Sequence, residues 1–207
     1  ATLPGPRIGF VGGIDAHTFD PELFLGLARR PPHCSFVMVG GMSLPAGWCP
    51  LANVHFLGRK PYDEVARYMA ACDVLIMPWN RSEWIKACNP IKLKEYLATG
   101  RPVVTTDFPA LDGWRDLVRV AHGPDEFAAA IRAGLASPPD HQAVLARLAP
   151  ETWDAKAETL ALAFRQQLGK QTVTTKARAK ICIVLFAVTH LAHSAHHMLC
   201  LERVMRR

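Results

Sequence analysis

The run Asp73–Trp79 (DVLIMPW) constrains the fold more than any other stretch. It is apolar without alternation and too short for an ordinary helix, so it reads as a strand covered on both faces. Such a strand belongs to a sheet with helices on either side. Short runs of the same kind recur at Ile8–Val11, Ser35–Gly40, Val54–Leu57, Val103–Thr106 and Leu117–Ala121. Helical spacing of apolar residues occupies Pro21–Arg30, Tyr62–Cys72, Pro90–Thr99, Pro124–Ala136, His141–Leu148 and Thr152–Leu168. The alternation predicts an α/β domain built on a doubly wound, Rossmann-like parallel sheet. Ligands of such sheets bind beyond the carboxyl ends of the strands. The residues expected there are Gly12-Gly13, Gly40-Gly41, Gly58-Arg59, Trp79-Asn80 and Thr105-Thr106.

A chain of 207 residues accommodates one such domain and an appendage. The division falls near Gly169-Lys170. Residues 1–170 carry 18 Lys and Arg against 17 Asp and Glu, whereas residues 171–207 carry six against one. Of the formal charge of +6, +5 therefore belongs to the tail, and a nucleic-acid partner is not expected for the body. The six cysteines form no CxxC pair and are expected as reduced thiols in the cytoplasm.

Asn89–Thr106 (NPIKLKEYLATGRPVVTT) has the most informative local logic. Asn89 reads as an N-cap, Pro90 as the first helical residue and Gly100 as the residue that ends the helix. The helix would start at the carboxyl end of the Asp73–Trp79 strand and aim its free N–H groups at the expected crevice, a geometry suited to a phosphate. Lys92 in the first turn opposes the helix dipole, which invites an anionic partner. Glu95 shares its face and could accept hydrogen bonds from the two hydroxyls of a ribose. The spacing equally fits an ordinary surface pair between Lys92 and Glu95.

Asn89–Val104 resembles the donor-binding segment of retaining glycosyltransferases of the GT-B fold, such as glycosyltransferase family four. These combine a helix bearing a Glu, an Ala-x-Gly turn and a Pro-Val-Val strand. Further likenesses lie in Arg7–Gly13 (RIGFVGG), Asn53–Arg59 (NVHFLGR) with Pro61–Val65, Asp73–Pro78, and Thr152-Trp153-Asp154. The resemblance runs over residues 7–168 and is to the C-terminal, donor-binding lobe alone. It implies that Glu95 binds the ribose of a UDP- or GDP-sugar. It also implies that Lys92 and the backbone at Asn89, Pro90 and Ile91 hold the diphosphate, that Gly12 and Gly13 line the first loop, and that Gly58 and Arg59 lie at the base.

No metal or other cofactor is implied beyond the nucleotide-sugar donor. The implied reaction transfers a sugar to a glycan or lipid-linked acceptor, as in polysaccharide biosynthesis. It needs an N-terminal lobe supplied in cis or in trans, because this chain resembles only one wall of the cleft. The family's second Glu, eight residues before the ribose-binding one, is replaced by Ala87, with Glu83 out of register. The Arg and Lys that often hold the diphosphate from the first loop and the next strand are not evident either. Two other readings remain open: a non-catalytic nucleotide-sugar-binding subunit and a sugar-nucleotide epimerase of the same fold.

Other residues invite weaker expectations. Trp79 and Trp84 could line a sugar site or simply pack, and Asp15 and His17 could approach the donor sugar. Residues 171–207 are expected to form a basic linker and an amphipathic helical tail. His190, His193, His197 and Cys200 fall on one face there, but one straight helix cannot wrap four ligands around an ion. The apolar part, Ile181–Val188, is too short to span a bilayer. The tail could lie on the inner membrane face as a peripheral contact or dock on the missing lobe.

Overall fold

The computed structural model describes residues 3–31 and 33–170. Six strands form one parallel sheet in the order β3-β2-β1-β4-β5-β6. They are β1 (Arg7–Val11), β2 (Ser35–Val39), β3 (Val54–Gly58), β4 (Val74–Met77), β5 (Val103–Thr105) and β6 (Arg119–Val120). The helices are α1 (Pro21–Ala28), α2 (Tyr62–Ala70), α3 (Glu83–Ala87), α4 (Ile91–Ala98), α5 (Pro124–Ala136), α6 (His141–Leu148) and α7 (Trp153–Lys170). This is the doubly wound α/β sheet expected from the sequence. The order reverses between β1 and β4, which is where such sheets hold ligands.

Alternate residues of each central strand feed two cores. Ile8, Phe10, Phe36, Met38, Val74, Ile76 and Val104 pack with Phe24 and Leu27 of α1 and Phe127 and Ile131 of α5. Val11, Val37, Val39, Leu75, Met77 and Val103 pack with α2, α4 and α6 through Val65, Met69, Leu93, Tyr96, Leu97 and Val144. Both strand faces are thus apolar, which explains why the runs read as continuous rather than alternating.

Local chemistry sets the element boundaries. Asp20 caps α1, its Oδ1 accepting from Leu23 N at 2.9 Å ahead of Pro21. Pro78 follows β4 directly, so the strand ends at Met77 although the apolar run continues to Trp79. The expected strand Leu117–Ala121 shrinks to the two residues of β6, both only half-buried at the sheet edge. The short helix α3, capped by Ser82 with Ile85 N donating to its Oγ at 3.4 Å, has no counterpart in the sequence reading. The expectations for residues 171–207, including the histidine stripe and the interfacial helix, lie outside the described residues.

Candidate functional site

The ends of β1, β2 and β3 converge through backbone contacts. Gly12 N donates to Val39 O at 2.9 Å, Ile14 N to Gly41 O at 2.8 Å, and Gly40 N to Gly58 O at 3.0 Å. Gly40 has φ +146°, and a Cβ there would stand 1.8 Å from Gly12 O. Only glycine permits this approach. The Arg59 guanidinium folds back across Gly41, its Nε 2.7 Å from where a Cβ would lie. Gly12, Gly13, Gly58 and Arg59 therefore share one platform around Gly40-Gly41.

Helix α4 is clamped to this platform. The buried Tyr96 hydroxyl accepts from Val11 N at 2.6 Å and donates to Val11 O at 3.1 Å, immediately before Gly12. Burial pushes the Tyr96 phenol well above its usual pKa, so the group stays a neutral donor and acceptor. On the neighbouring residue, Glu95 is only 2% exposed. Its Oε1 accepts from the Tyr62 hydroxyl at 2.9 Å, and Tyr62 opens α2 three residues after Arg59. Its Oε2 is ion-paired with Lys92 Nζ and has no other polar partner among the described residues. A ring of contacts thus encloses one corner of the sheet: Arg59, Gly41, Gly40, Gly12, Val11, Tyr96, Glu95, Tyr62.

This geometry refines two expectations. The Lys92–Glu95 pair exists, but it is not the solvated pair that the spacing also allowed, because its acid is buried. A buried carboxylate whose second oxygen is held only by a partly exposed lysine has a partner that a ligand could displace. The second refinement concerns the helix start. Pro90, not Asn89, occupies the N-cap position, with extended dihedrals (φ −77°, ψ 120°), and α4 begins at Ile91. No side chain caps this first turn. A proline at the cap position has no side-chain acceptor to offer, so the helix end at Ile91 and Lys92 keeps its donors for something else. Asn89 is exposed and turned to the other side, lining a cleft of about 500 Å³ with Lys86, Cys88, Lys94 and Trp114.

The first loop is built by its own side chains. Asp15 Oδ1 accepts from His17 N at 2.9 Å and Thr18 N at 3.1 Å, which commits that carboxylate to the turn. Asn80 Nδ2 donates to Ala16 O and His17 O, both at 3.0 Å, and ties the loop to the segment after β4. The His17 ring lies tilted against Trp84, with centroids 5.2 Å apart, and Trp84 is 59% exposed. Trp79 is buried against Phe108 at 5.2 Å. Glu83 pairs with Lys86 on α3 and, among the described residues, makes no hydrogen bond or ion pair with the Glu95 corner.

The sequence reading missed Tyr62 and Tyr96 as site residues. Both lie at helical positions consistent with simple packing, and their partners are far away in the chain. A tyrosine whose neighbour in sequence is a buried-face Glu was the available signal.

Residues 5–137 match the family model described as "Glycosyl transferases group 1". A Bacillus subtilis (strain 168) protein named as a candidate teichuronic acid biosynthesis glycosyltransferase, TuaH, is 34% identical over 111 residues. That match covers 51% of this chain and 28% of the relative. Among solved structures, sucrose-phosphate synthase from Thermosynechococcus elongatus aligns over 83% of this chain and 47% of its own, with TM-score 0.64 and 19% identity. AviGT4, a glycosyltransferase involved in avilamycin A biosynthesis, aligns over 82% and 53%, with TM-score 0.58 and 19% identity. The chain spans about a quarter of its curated relative and about half of these structures. The two structures share the fold of the described residues. With a family match running across well over half its length, the chain belongs to the group 1 glycosyl transferases and carries a GT-B glycosyltransferase domain.

Proposed function

We propose that residues 1–170 form the donor-binding lobe of a sugar transferase, holding a UDP- or GDP-sugar at the Glu95 corner. The observation that carries this reading is the Glu95 carboxylate: buried, with Oε2 held only by the Lys92 ammonium, beside an uncapped helix N-terminus and a glycine turn. A vicinal diol of ribose would compete with Lys92 for Oε2. Lys92, released, would turn to the diphosphate together with the backbone N–H groups at Ile91 and Lys92. Gly12 and Gly13 carry no side chain that would keep a phosphate from the backbone, and Gly58 and Arg59 would border the base. Stabilising the leaving diphosphate would fall to this helix end and its lysine. The acceptor is a glycan of a polysaccharide pathway, as the name of the Bacillus relative suggests, or a lipid-linked glycan. A second lobe, in cis or in trans, completes the cleft. Residues 171–207 would serve as a basic linker and tail that contacts that lobe or the inner membrane face.

Calorimetric titration with UDP and GDP tests the assignment on the chain and on Glu95→Ala. Removing two charge-assisted hydrogen bonds weakens nucleotide binding by at least about tenfold. Equal affinity of the two proteins rejects the ribose role of Glu95. Turnover upon addition of the second lobe separates a transferase from a binding subunit.

A further inference from the structure

Both oxygens of the buried Glu95 carboxylate are engaged in the free protein. Oε1 accepts from the Tyr62 hydroxyl at 2.9 Å, and Oε2 is ion-paired with Lys92 Nζ. A ribose therefore reaches this acid only if one partner leaves. The two partners differ in what they hold. Tyr62 opens α2, so its hydrogen bond joins α2 to α4. Lys92 and Glu95 lie three residues apart on α4, and their pair joins no two elements. Helix α4 is fixed elsewhere, by Tyr96 on Val11 and by Lys94 on Glu151. Lys92 is also the accessible member of its pair, with a side chain 25% exposed against 2% for Glu95. Displacing Lys92 thus frees one flexible side chain and unties no part of the fold.

The position of the lysine makes its hold conditional. It is the second residue of α4, in a first turn that contains no acid and no side-chain cap. The positive end of the helix repels the ammonium while the buried carboxylate attracts it. A phosphate at the helix end attracts both the backbone N–H groups and the lysine. A neutral diol offers the displaced ammonium nothing in place of Glu95. A nucleoside alone therefore breaks the ion pair without replacing it, whereas a nucleoside diphosphate brings the replacement with it.

We infer that Lys92 is a latch on Glu95 that makes this site select nucleoside diphosphates against nucleosides. Its ammonium keeps the ribose acceptor closed until a phosphate draws it away, so the ribose and phosphate halves bind cooperatively through one side chain. The latch rests on the donor-site reading above and adds a discrimination that Glu95 and the glycine turn do not provide.

The probes are uridine and inorganic phosphate, which carry the ribose and the phosphate on separate molecules. Uridine is titrated into the isotope-labelled 207-residue chain with and without phosphate, at constant ionic strength, and followed by amide shifts. Phosphate is expected to tighten uridine by at least about fivefold, and uridine to tighten phosphate by the same factor. Lys92→Gln removes the charge and leaves a weaker, neutral donor beside Oε2. Without phosphate it should bind uridine about threefold more tightly than the wild type. It should bind UDP about tenfold more weakly. Its coupling between uridine and phosphate should fall below about twofold. Uridine affinity independent of phosphate in the wild type overturns the latch, and so does coupling undiminished in Lys92→Gln. Absence of uridine shifts at every phosphate concentration overturns it as well. UDP titrated into the wild type and Glu95→Ala separates these failures from failure of the underlying reading. UDP binding weakened by Glu95→Ala, with no coupling between uridine and phosphate, removes the latch and leaves the ribose assignment standing. UDP binding unchanged by Glu95→Ala removes both.

Discussion

Two tyrosines determine whether the Glu95 corner exists at all. Tyr96 answers both polar groups of Val11, so it fixes where the glycine turn begins relative to α4. Tyr96→Phe leaves a buried N–H and a buried carbonyl without that partner, at a cost of about 1–3 kcal/mol. Urea denaturation should show this loss with an unchanged m-value, and UDP affinity should fall with it because Gly12 is no longer held. A protein destabilised but binding UDP normally would place the nucleotide away from the glycine turn. Tyr62 acts differently, because it donates to Glu95 Oε1 and orients the carboxylate. Tyr62→Phe is expected to weaken UDP binding less than Glu95→Ala does, since the acid remains and only its orientation is loosened. Calorimetry on the two variants checks that ranking.

At the scale of elements, what the sequence showed and what it hid follow from length and burial. The strands β1, β2, β4 and β5 were legible because both their faces are buried, so polar residues occur only at strand ends, as Arg7, Ser35 and Thr105. Strand β6 was overestimated because two half-buried edge residues satisfy the pairing and the flanking apolar residues pack elsewhere. Helix α3 is five residues with one buried side chain, too little for any periodicity to register. The start of α4 was misplaced by one residue because Pro90 keeps an extended ψ of 120° instead of entering the helix. The pairing of Lys92 with Glu95 was legible because its spacing is local. The clamp from Tyr96 to Val11 was not, because it joins residues 85 apart. The convergence of strand ends was likewise visible only as paired glycines. It yields a sharp expectation: Gly40→Ala must displace Gly12 O, which a Cβ would approach to 1.8 Å. Its cost should exceed the roughly 1 kcal/mol of an ordinary glycine replacement. Gly47→Ala, also at positive φ (+75°) but with open space around it, is the control and should cost less. Equal Tm values for the two variants would mean that the β1 and β2 turns do not touch.

The whole molecule holds its site helix from behind as well as in front. Glu151, between α6 and α7, bonds Lys94 of α4 and lies 3.1 Å from Lys156 of α7. Lys94 also sits 5.8 Å over the Trp114 ring. The closing helix is thereby tied to the helix that carries Glu95. The Lys94 hydrogen bond, followed by Lys156, holds the Glu151 carboxyl below its ordinary pKa, although burial opposes this. A carboxylate with a depressed native pKa contributes stability that is complete above its unfolded value of about 4.3 and is lost as the pH falls through the native value. Thermal unfolding of the wild type should therefore drop progressively below about pH 5 from this source. Glu151→Gln removes the charge at every pH and leaves Lys94, whose side chain is only 13% exposed, without its anion. The variant should start from a lower Tm at neutral pH and lose less of it on acidification, so that the two curves converge toward pH 3. Parallel curves would show that the network is a solvated surface contact and that α7 does not brace α4. If the curves converge, UDP affinity measured at neutral pH in Glu151→Gln reports whether bracing from behind reaches the Glu95 corner. A loss smaller than that of Tyr96→Phe is expected, because the clamp to Val11 remains intact on the other side of the helix.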